Sequence, residues 1–230
     1  MKYHCLFFDL DDTIWDIKSN GRESMEEVFQ DYGFDRFFHT FDDFYNVYFP
    51  SNLRLWERYR NGKITKDELI VERLLYPLRP FGINDKSFAI KLNDDFLRRT
   101  TLKTKLIPHT KEILEYLRPQ YKLFILSNGF REVQYDKITN SGLDIFFDGI
   151  FLSDEMGYNK PHPKIFEKAL QKANFKFNET IMIGDSWDAD IVGAKNAMID
   201  QIWYNPEHAT SVEFKPTYEI STLLELKNIL

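Results

Sequence analysis

The chain has 230 residues, with 43% hydrophobic and 29% charged side chains and a formal net charge of -6. That length accommodates one large domain, or a core domain carrying a smaller inserted one, and the composition excludes disordered and fibrous classes. The negative charge argues against nucleic-acid polymers and anionic membranes as partners, and no apolar run approaches the roughly 18 to 20 residues that span a bilayer, so a cytoplasmic protein is expected. The single cysteine, Cys5, excludes an intramolecular disulfide and fits a reducing compartment as a small buried filler. His4, His39, His109, His162 and His208 show none of the close pairing of a helical zinc site.

Tyr3 to Phe8 is a short apolar run without helical period, as in a strand buried on both faces of a parallel sheet. Between Asp16 and about Lys103 only helical patterns follow. One places Met25, Val28, Phe29 and Tyr32 on a face; a second covers 41–59 and is expected to break near Pro50. A third opens at a Thr65–Glu68 capping box and runs to about Leu78, and a fourth covers 85–99. After that stretch strands alternate with helices: strands at 122–126, 149–152, 180–183 and 201–204, helices at 108–117, 164–173, 191–197 and 223–230. The expected fold is therefore α/β, a Rossmann-like, mostly parallel sheet formed by residues 1–15 and 104–230, with an all-helical domain, 16–103, inserted after the first strand through short hinges.

Ligands of open parallel sheets bind beyond the carboxyl ends of the strands. Asp9-Leu10-Asp11-Asp12-Thr13 follows the first strand, Ser127-Asn128-Gly129 the second, Lys160-Pro161 lies beyond the third, and Asp185 to Asp190 follows the fourth. Each segment alone is ordinary turn or cap chemistry. Their joint occurrence, each behind an apolar strand, points to one shared site.

Asp9-x-Asp11-x-Thr13, Ser127, Lys160-Pro161 and Asp185-x-x-x-x-Asp190 resemble the four motifs of the haloacid dehalogenase-like hydrolases. Ser127 to Leu143 and Gly157 to Phe166 look like the branch that includes pyrimidine 5'-nucleotidases. The resemblance implies a Rossmann-like core with a helical cap, and a phosphatase in which Asp9 is the nucleophile and Asp11 the general acid and base. Ser127, Asn128 with its neighbouring backbone N–H groups, and Lys160 are then expected to bind phosphate. Mg²⁺ is expected on Asp9, the main-chain carbonyl of Asp11 and Asp185, with Asp190 and Thr13 behind them. Two bare carboxylates would repel a phosphate dianion by about 4 kcal/mol per charge pair at about 4 Å and an effective dielectric of ~20, so a hard cation is needed. For Asp11 to carry a proton at neutral pH, neighbouring negative charge is required, which bound phosphate supplies.

The family's dehalogenases lack an aspartate two residues after the nucleophile, which sets Asp11 against that alternative. A phosphomutase would share all these residues, and a catalytically silent binding protein would be expected to have lost one. The expected partner is a small phosphorylated metabolite, with a nucleoside 5'-monophosphate first among the classes, and the protein itself is expected as a monomer or homodimer. Substrate choice is expected from the helical insert, whose opening and closing on its hinges would admit and exclude water. Trp15, Phe37, Phe38, Tyr48, Trp56 and Tyr59 are able to stack a base, but their spacing equally fits helix packing. Asp188 reads as a solvated or capping acid, and Trp187 as either an entrance or a packing residue.

Overall fold

The computed structural model describes residues 2–210 and 214–230. The chain divides into two compact units, one formed by the residues up to Lys18 with Thr104–Leu230, the other by Ser19–Lys103.

The first unit is built on six strands: β1 (Cys5–Phe8), β2 (Lys122–Ser127), β3 (Gly149–Leu152), β4 (Thr180–Gly184), β5 (Asp200–Tyr204) and β6 (Tyr218–Ile220). They form one sheet in the order β3-β2-β1-β4-β5-β6, and every pairing is parallel. β1 is central, and the chain leaves it toward β2 on one side and β4 on the other. Such a reversal of strand order opens a crevice at the carboxyl ends, which is where ligands of these sheets bind. Alternation along β1 supplies both cores. Leu6 and Phe8 pack with Leu123, Ile125, Ile181, Ile183 and Ile202 on one face, Cys5 and Phe7 with Phe124, Leu126 and Met182 on the other. Burial pushes the Cys5 thiol up to about 12, so it is inert filler.

The second unit is helical. Apart from the first two residues of α1 (Ile17–Asp31), it holds α1, α2 (Phe41–Arg60), α3 (Lys66–Leu75) and α4 (Lys86–Leu102). Capping boxes at Thr40/Asp43 and Thr65/Glu68 start α2 and α3, and Asp85 caps α4. The core is aromatic: Phe29, Phe34, Phe44, Tyr48 and Phe96 are buried together, with Phe37 and Phe38 packed against them. Tyr48 stacks on Phe44 at 5.7 Å between ring centroids, which makes it a core residue of this unit. α2 does not break at Pro50 as expected from the sequence. The proline lies on the exposed side, as does Asn46, whose carbonyl the missing N–H would have met, while Phe44, Tyr48, Ser51 and Leu55 hold the buried face.

The remaining helices belong to the first unit: α5 (Thr110–Leu117), α6 (Arg131–Asn140), the single turn α7 (Ser153–Met156), α8 (Pro163–Ala173) and the short α9 (Gly193–Asn196). Two local expectations are corrected and two elements are new. The helix expected over 191–197 is a π-helical turn, Trp187–Val192, running into α9; the helix expected over 223–230 is a 3₁₀ segment, Leu223–Asn228; and β6 and α6 are elements that apolar periodicity does not mark. Among the described residues no helix is long and apolar enough to cross a membrane.

The loop after β1 is tied to α6 by Trp15, fully buried, whose indole N–H donates to Ser141 Oγ at 2.9 Å. Trp15→Phe keeps an aromatic ring, though a smaller one, and strands the hydroxyl. A loss of about 1–3 kcal/mol is expected in urea denaturation followed by circular dichroism.

Candidate active site

The site begins where β1 ends. Asp9 is the first residue beyond the strand, and its N–H extends the ladder to the carbonyl of Ile183 on β4 at 2.9 Å. The next residues turn sharply: Asp12 takes a left-handed conformation (φ 61°), its N–H bonds the carbonyl of Trp15, and the N–H groups of Ile14 and Trp15 bond the carbonyl of Leu10. The turn presents Asp9 and Asp11 from one rigid loop while burying Leu10, Ile14 and Trp15 beneath it.

Lys160 supplies the central charge. It is 1% exposed, and its Nζ donates to Asp9 Oδ1, Asp190 Oδ1 and the carbonyl of Leu126, each at 2.6 Å. All three donors of the ammonium are used, so a buried cation is fully paired. Its backbone is fixed as well, because the Asn128 amide donates to its carbonyl at 2.8 Å and accepts from its N–H at 2.7 Å. The Asn128 side chain therefore braces Lys160. Asp190 is also fully engaged, accepting from the Ser186 N–H with Oδ2 at 3.1 Å. A Cβ at Gly184 would collide with this carboxylate, so the glycine at the end of β4 is what lets Asp190 reach the lysine.

Thr13 and Asp185 form a second pair: the Thr13 hydroxyl accepts from the Asp185 N–H at 3.0 Å and lies 3.2 Å from Oδ1. The indole N–H of Trp203 holds the Asp185 carbonyl at 2.9 Å, and Trp187 packs on Trp203 and Phe214 at 4.8 and 4.7 Å. Trp187 is thus in aromatic packing, and Asp188 lies exposed in the π-helical turn. Ser127, at the end of β2, accepts from the Gly129 N–H at 3.2 Å and from the Gln134 amide at 2.7 Å. That amide also reaches Asp11 Oδ2 at 2.9 Å, and Lys137 Nζ reaches Asp11 Oδ1 at 2.7 Å.

Hydrogen bonds and close approach thus bring together Asp9, Asp11, Thr13, Ser127, Asn128, Lys160, Asp185 and Asp190. A model of the haloacid dehalogenase-like hydrolase family matches residues 3–197. The chain belongs to the haloacid dehalogenase-like hydrolases. It is 32% identical to the HAD-hydrolase YfnB of Bacillus subtilis, covering 100% of this chain and 96% of that one. It is also 32% identical to the pyrimidine 5'-nucleotidase PynA of Streptococcus pneumoniae (100% and 98%), and 31% identical to the pyrimidine 5'-nucleotidase YjjG of Escherichia coli (100% and 99%). A crystal structure of YfnB bound to magnesium superposes with a TM-score of 0.88, covering 100% of this chain and 99% of that one.

In this hydrolase one oxygen each from Asp9, Asp185 and Asp190 lie within 4.8 Å of one another. Asp190 spends both oxygens on Lys160 and Ser186, which leaves Asp9 and Asp185 as the carboxylates suited to a cation. Their electrostatics fit one. Asp9 is pushed up to about 7 by burial, opposed by Lys160 and reinforced by Asp190 and Asp11. Asp185 is raised well above the ordinary carboxylate range by burial and then by Asp9, Asp190 and Asp12, with only the Thr13 hydroxyl opposing among the main causes. Asp12 is raised to about 6 by burial, against Lys18. An all-oxygen set short of positive charge matches a hard divalent ion such as Mg²⁺.

Gln134 and Lys137 are residues of this site that motif reading missed. The one signal available was their i, i+3 spacing just after the Ser-Asn-Gly segment.

The raised acids set a pH dependence. Without a divalent cation the folded protein retains protons on Asp9, Asp12 and Asp185 that the unfolded chain releases near pH 4. The folded state therefore binds more protons between about pH 4 and 7, and stability falls as pH rises through that window. In EDTA the melting temperature is expected to be higher at about pH 5 than at about pH 7.5, and saturating Mg²⁺ is expected to raise the value at the higher pH more, because a cation takes the place of the protons. Differential scanning fluorimetry checks both; a melting temperature in EDTA that rises between these pH values would contradict the assignment.

Proposed function

We propose that this hydrolase cleaves small phosphate monoesters through an aspartyl-phosphate on Asp9. The observation that carries the reading is the Asp9 carboxylate, seated at the head of β1 against the fully paired ammonium of Lys160, with a second acid, Asp11, presented from the same turn. Asp9 attacks phosphorus in line as the ester oxygen departs, and Asp11 gives its proton to that oxygen, so the alcohol leaves neutral. In the second displacement Asp11 takes the proton of a water attacking the same phosphorus, and Asp9 is released with inorganic phosphate. The Ser127 hydroxyl and the backbone N–H groups near Asn128 hold the phosphoryl oxygens through both displacements, while Lys160, whose three donors are spent on Asp9, Asp190 and the Leu126 carbonyl, offsets their negative charge through space. Mg²⁺, bound by Asp9, Asp185 and the main-chain carbonyl of Asp11, would supply the positive charge that lets a phosphate dianion approach these carboxylates. Thr13 orients Asp185, and Asp190 orients Lys160.

The substrate class we propose is a nucleoside 5'-monophosphate, supported by the whole-chain similarity to two proteins named as pyrimidine 5'-nucleotidases. Residues 16–103 are proposed as the helical cap that selects the leaving group, since the catalytic groups recognise phosphate alone.

Phosphate release from nucleoside monophosphates, sugar phosphates and an aryl phosphate, with Mg²⁺ or EDTA, tests the reading. Release is expected to require Mg²⁺, to fall to background in Asp9→Asn, and to be greatest for a nucleoside 5'-monophosphate. Undiminished release by Asp9→Asn would overturn the mechanism, and a flat or sugar-phosphate preference would overturn the substrate class.

A further inference from the structure

We propose that Gln134 and Lys137 of α6 are positioning residues that aim the Asp11 carboxylate at the leaving-group oxygen. The inference rests on the phosphatase reading above, and adds two side chains, Gln134 and Lys137, to which that reading gives no role. Both oxygens of Asp11 are held from α6: Oδ1 by Lys137 Nζ at 2.7 Å, Oδ2 by Gln134 Nε2 at 2.9 Å. Two donors, one on each oxygen, fix the plane of the carboxylate as well as its position.

The holders are themselves held. Lys137 is 3% exposed, and its ammonium lies 4.6 Å from the centroid of the Trp15 ring, so the cation is clamped between an indole face and the carboxylate. Trp15 is fixed in turn by its hydrogen bond to Ser141, one turn further along from Lys137. Gln134 is fully buried, and its amide bridges Ser127 Oγ and Asp11, tying the proposed phosphate-binding hydroxyl to the proton-transfer group at 2.7 and 2.9 Å. Gly129 makes room for this bridge, because a Cβ there would collide with the Gln134 side chain. Burying a lysine and a glutamine costs free energy that apolar side chains would not. Their polar ends meet at the Asp11 carboxylate, which is 28% exposed at the surface of the site.

A group that must move a proton in the transition state loses its effect when misplaced by about 1 Å. Removing either donor is therefore expected to matter where the leaving group needs a proton and to be nearly silent where it does not. The experiment compares kcat/KM, which reports the steps through release of the first product, for two substrates. One is the alkyl phosphate turned over fastest among uridine 5'-monophosphate, ribose 5-phosphate and glycerol 3-phosphate. The other is 2,4-dinitrophenyl phosphate, whose phenolate leaves unprotonated. Lys137→Met and Gln134→Leu are each expected to lose about 10- to 100-fold on the alkyl phosphate and under about 3-fold on the aryl one, a weaker form of the pattern expected for Asp11→Asn.

Equal losses on both substrates would assign Lys137 and Gln134 to packing alone and overturn the proposal, as would no loss on either. If Lys137→Met fails to fold by circular dichroism, the near-isosteric Gln134→Leu decides. A wild-type protein that releases phosphate from neither substrate, or an Asp9→Asn variant that still does, would sink the phosphatase reading itself. Selective loss in Asp11→Asn without selective loss in the α6 variants would sink the positioning role alone.

Discussion

The ammonium of Lys160 is the charge around which the sheet-bearing unit closes. Its three hydrogen bonds run to the residue after β1, to the carbonyl of Leu126 within β2 and to Asp190 beyond β4, so one cation gathers the three central strands of the sheet. Each bond would be weak at a surface; in a buried site each acts through low dielectric, and the desolvation cost of the ammonium is met because none of its donors is left unpaired. The dependence is mutual. Asp190 would be an uncompensated buried acid without the lysine, and the lysine an uncompensated buried cation without Asp9 and Asp190. Asn128 and Gly184 serve this arrangement, one by gripping the lysine backbone and the other by leaving space for the acid.

The four motif carboxylates, Asp9, Asp11, Asp185 and Asp190, are met by two ammonium groups, and those are unequally placed. Lys160 serves Asp9 and Asp190, Lys137 serves Asp11, and Asp185 has a hydroxyl in place of a cation. The deficit is greatest on the side of Asp185. Burial first, and neighbouring carboxylates after it, raise both Asp9, against the opposing charge of Lys160, and Asp185, against the Thr13 hydroxyl alone among the main causes; a divalent ion there would serve two ends: relieving the repulsion between the acids, and turning an anionic crevice into one that accepts a phosphate dianion.

Much of this frame was legible in the sequence because parallel strands buried on both faces must be apolar throughout, and because the polar residues that end them stand out against that background. The cores of β1, β2, β4 and β5 and the positions of Asp9, Ser127, Lys160 and Asp185 follow from that contrast. What failed did so for physical reasons. β6 is a three-residue edge strand with two exposed side chains, so it lacks an apolar run. Pro50 reads as a breaker, but it lies on the exposed side of α2, and the packing of the opposite face carries the helix through it. The segment 187–192 widens into a π-helical turn that buries Asp190 while leaving Asp188 in water, a shift of phase that a regular 3.6-residue period does not anticipate.

α6 was missed for the most informative reason. Helices are recognised from sequence by an apolar stripe, and α6 has almost none: beside Val133 and Ile138, the residues it buries are Gln134 and Lys137. A helix that turns polar groups inward cannot be stabilised by burial alone, so its inner donors need partners elsewhere in the fold, and here the Gln134 amide N–H groups meet Ser127 and Asp11 and the Lys137 ammonium meets Asp11 and the face of Trp15, while the Gln134 side-chain oxygen has no hydrogen-bond partner among the described residues. The feature that hides the helix from periodicity is thus the one that ties it to the site. Asp9 and Asp11, two residues apart on one turn, are accordingly held by different machinery. The first is gripped through Lys160 from the strand ends, the second through Gln134 and Lys137 from a helix. Two like groups given two separate supports can be aimed at different atoms of one substrate, which is what the nucleophile and the proton donor proposed above would require in the same displacement.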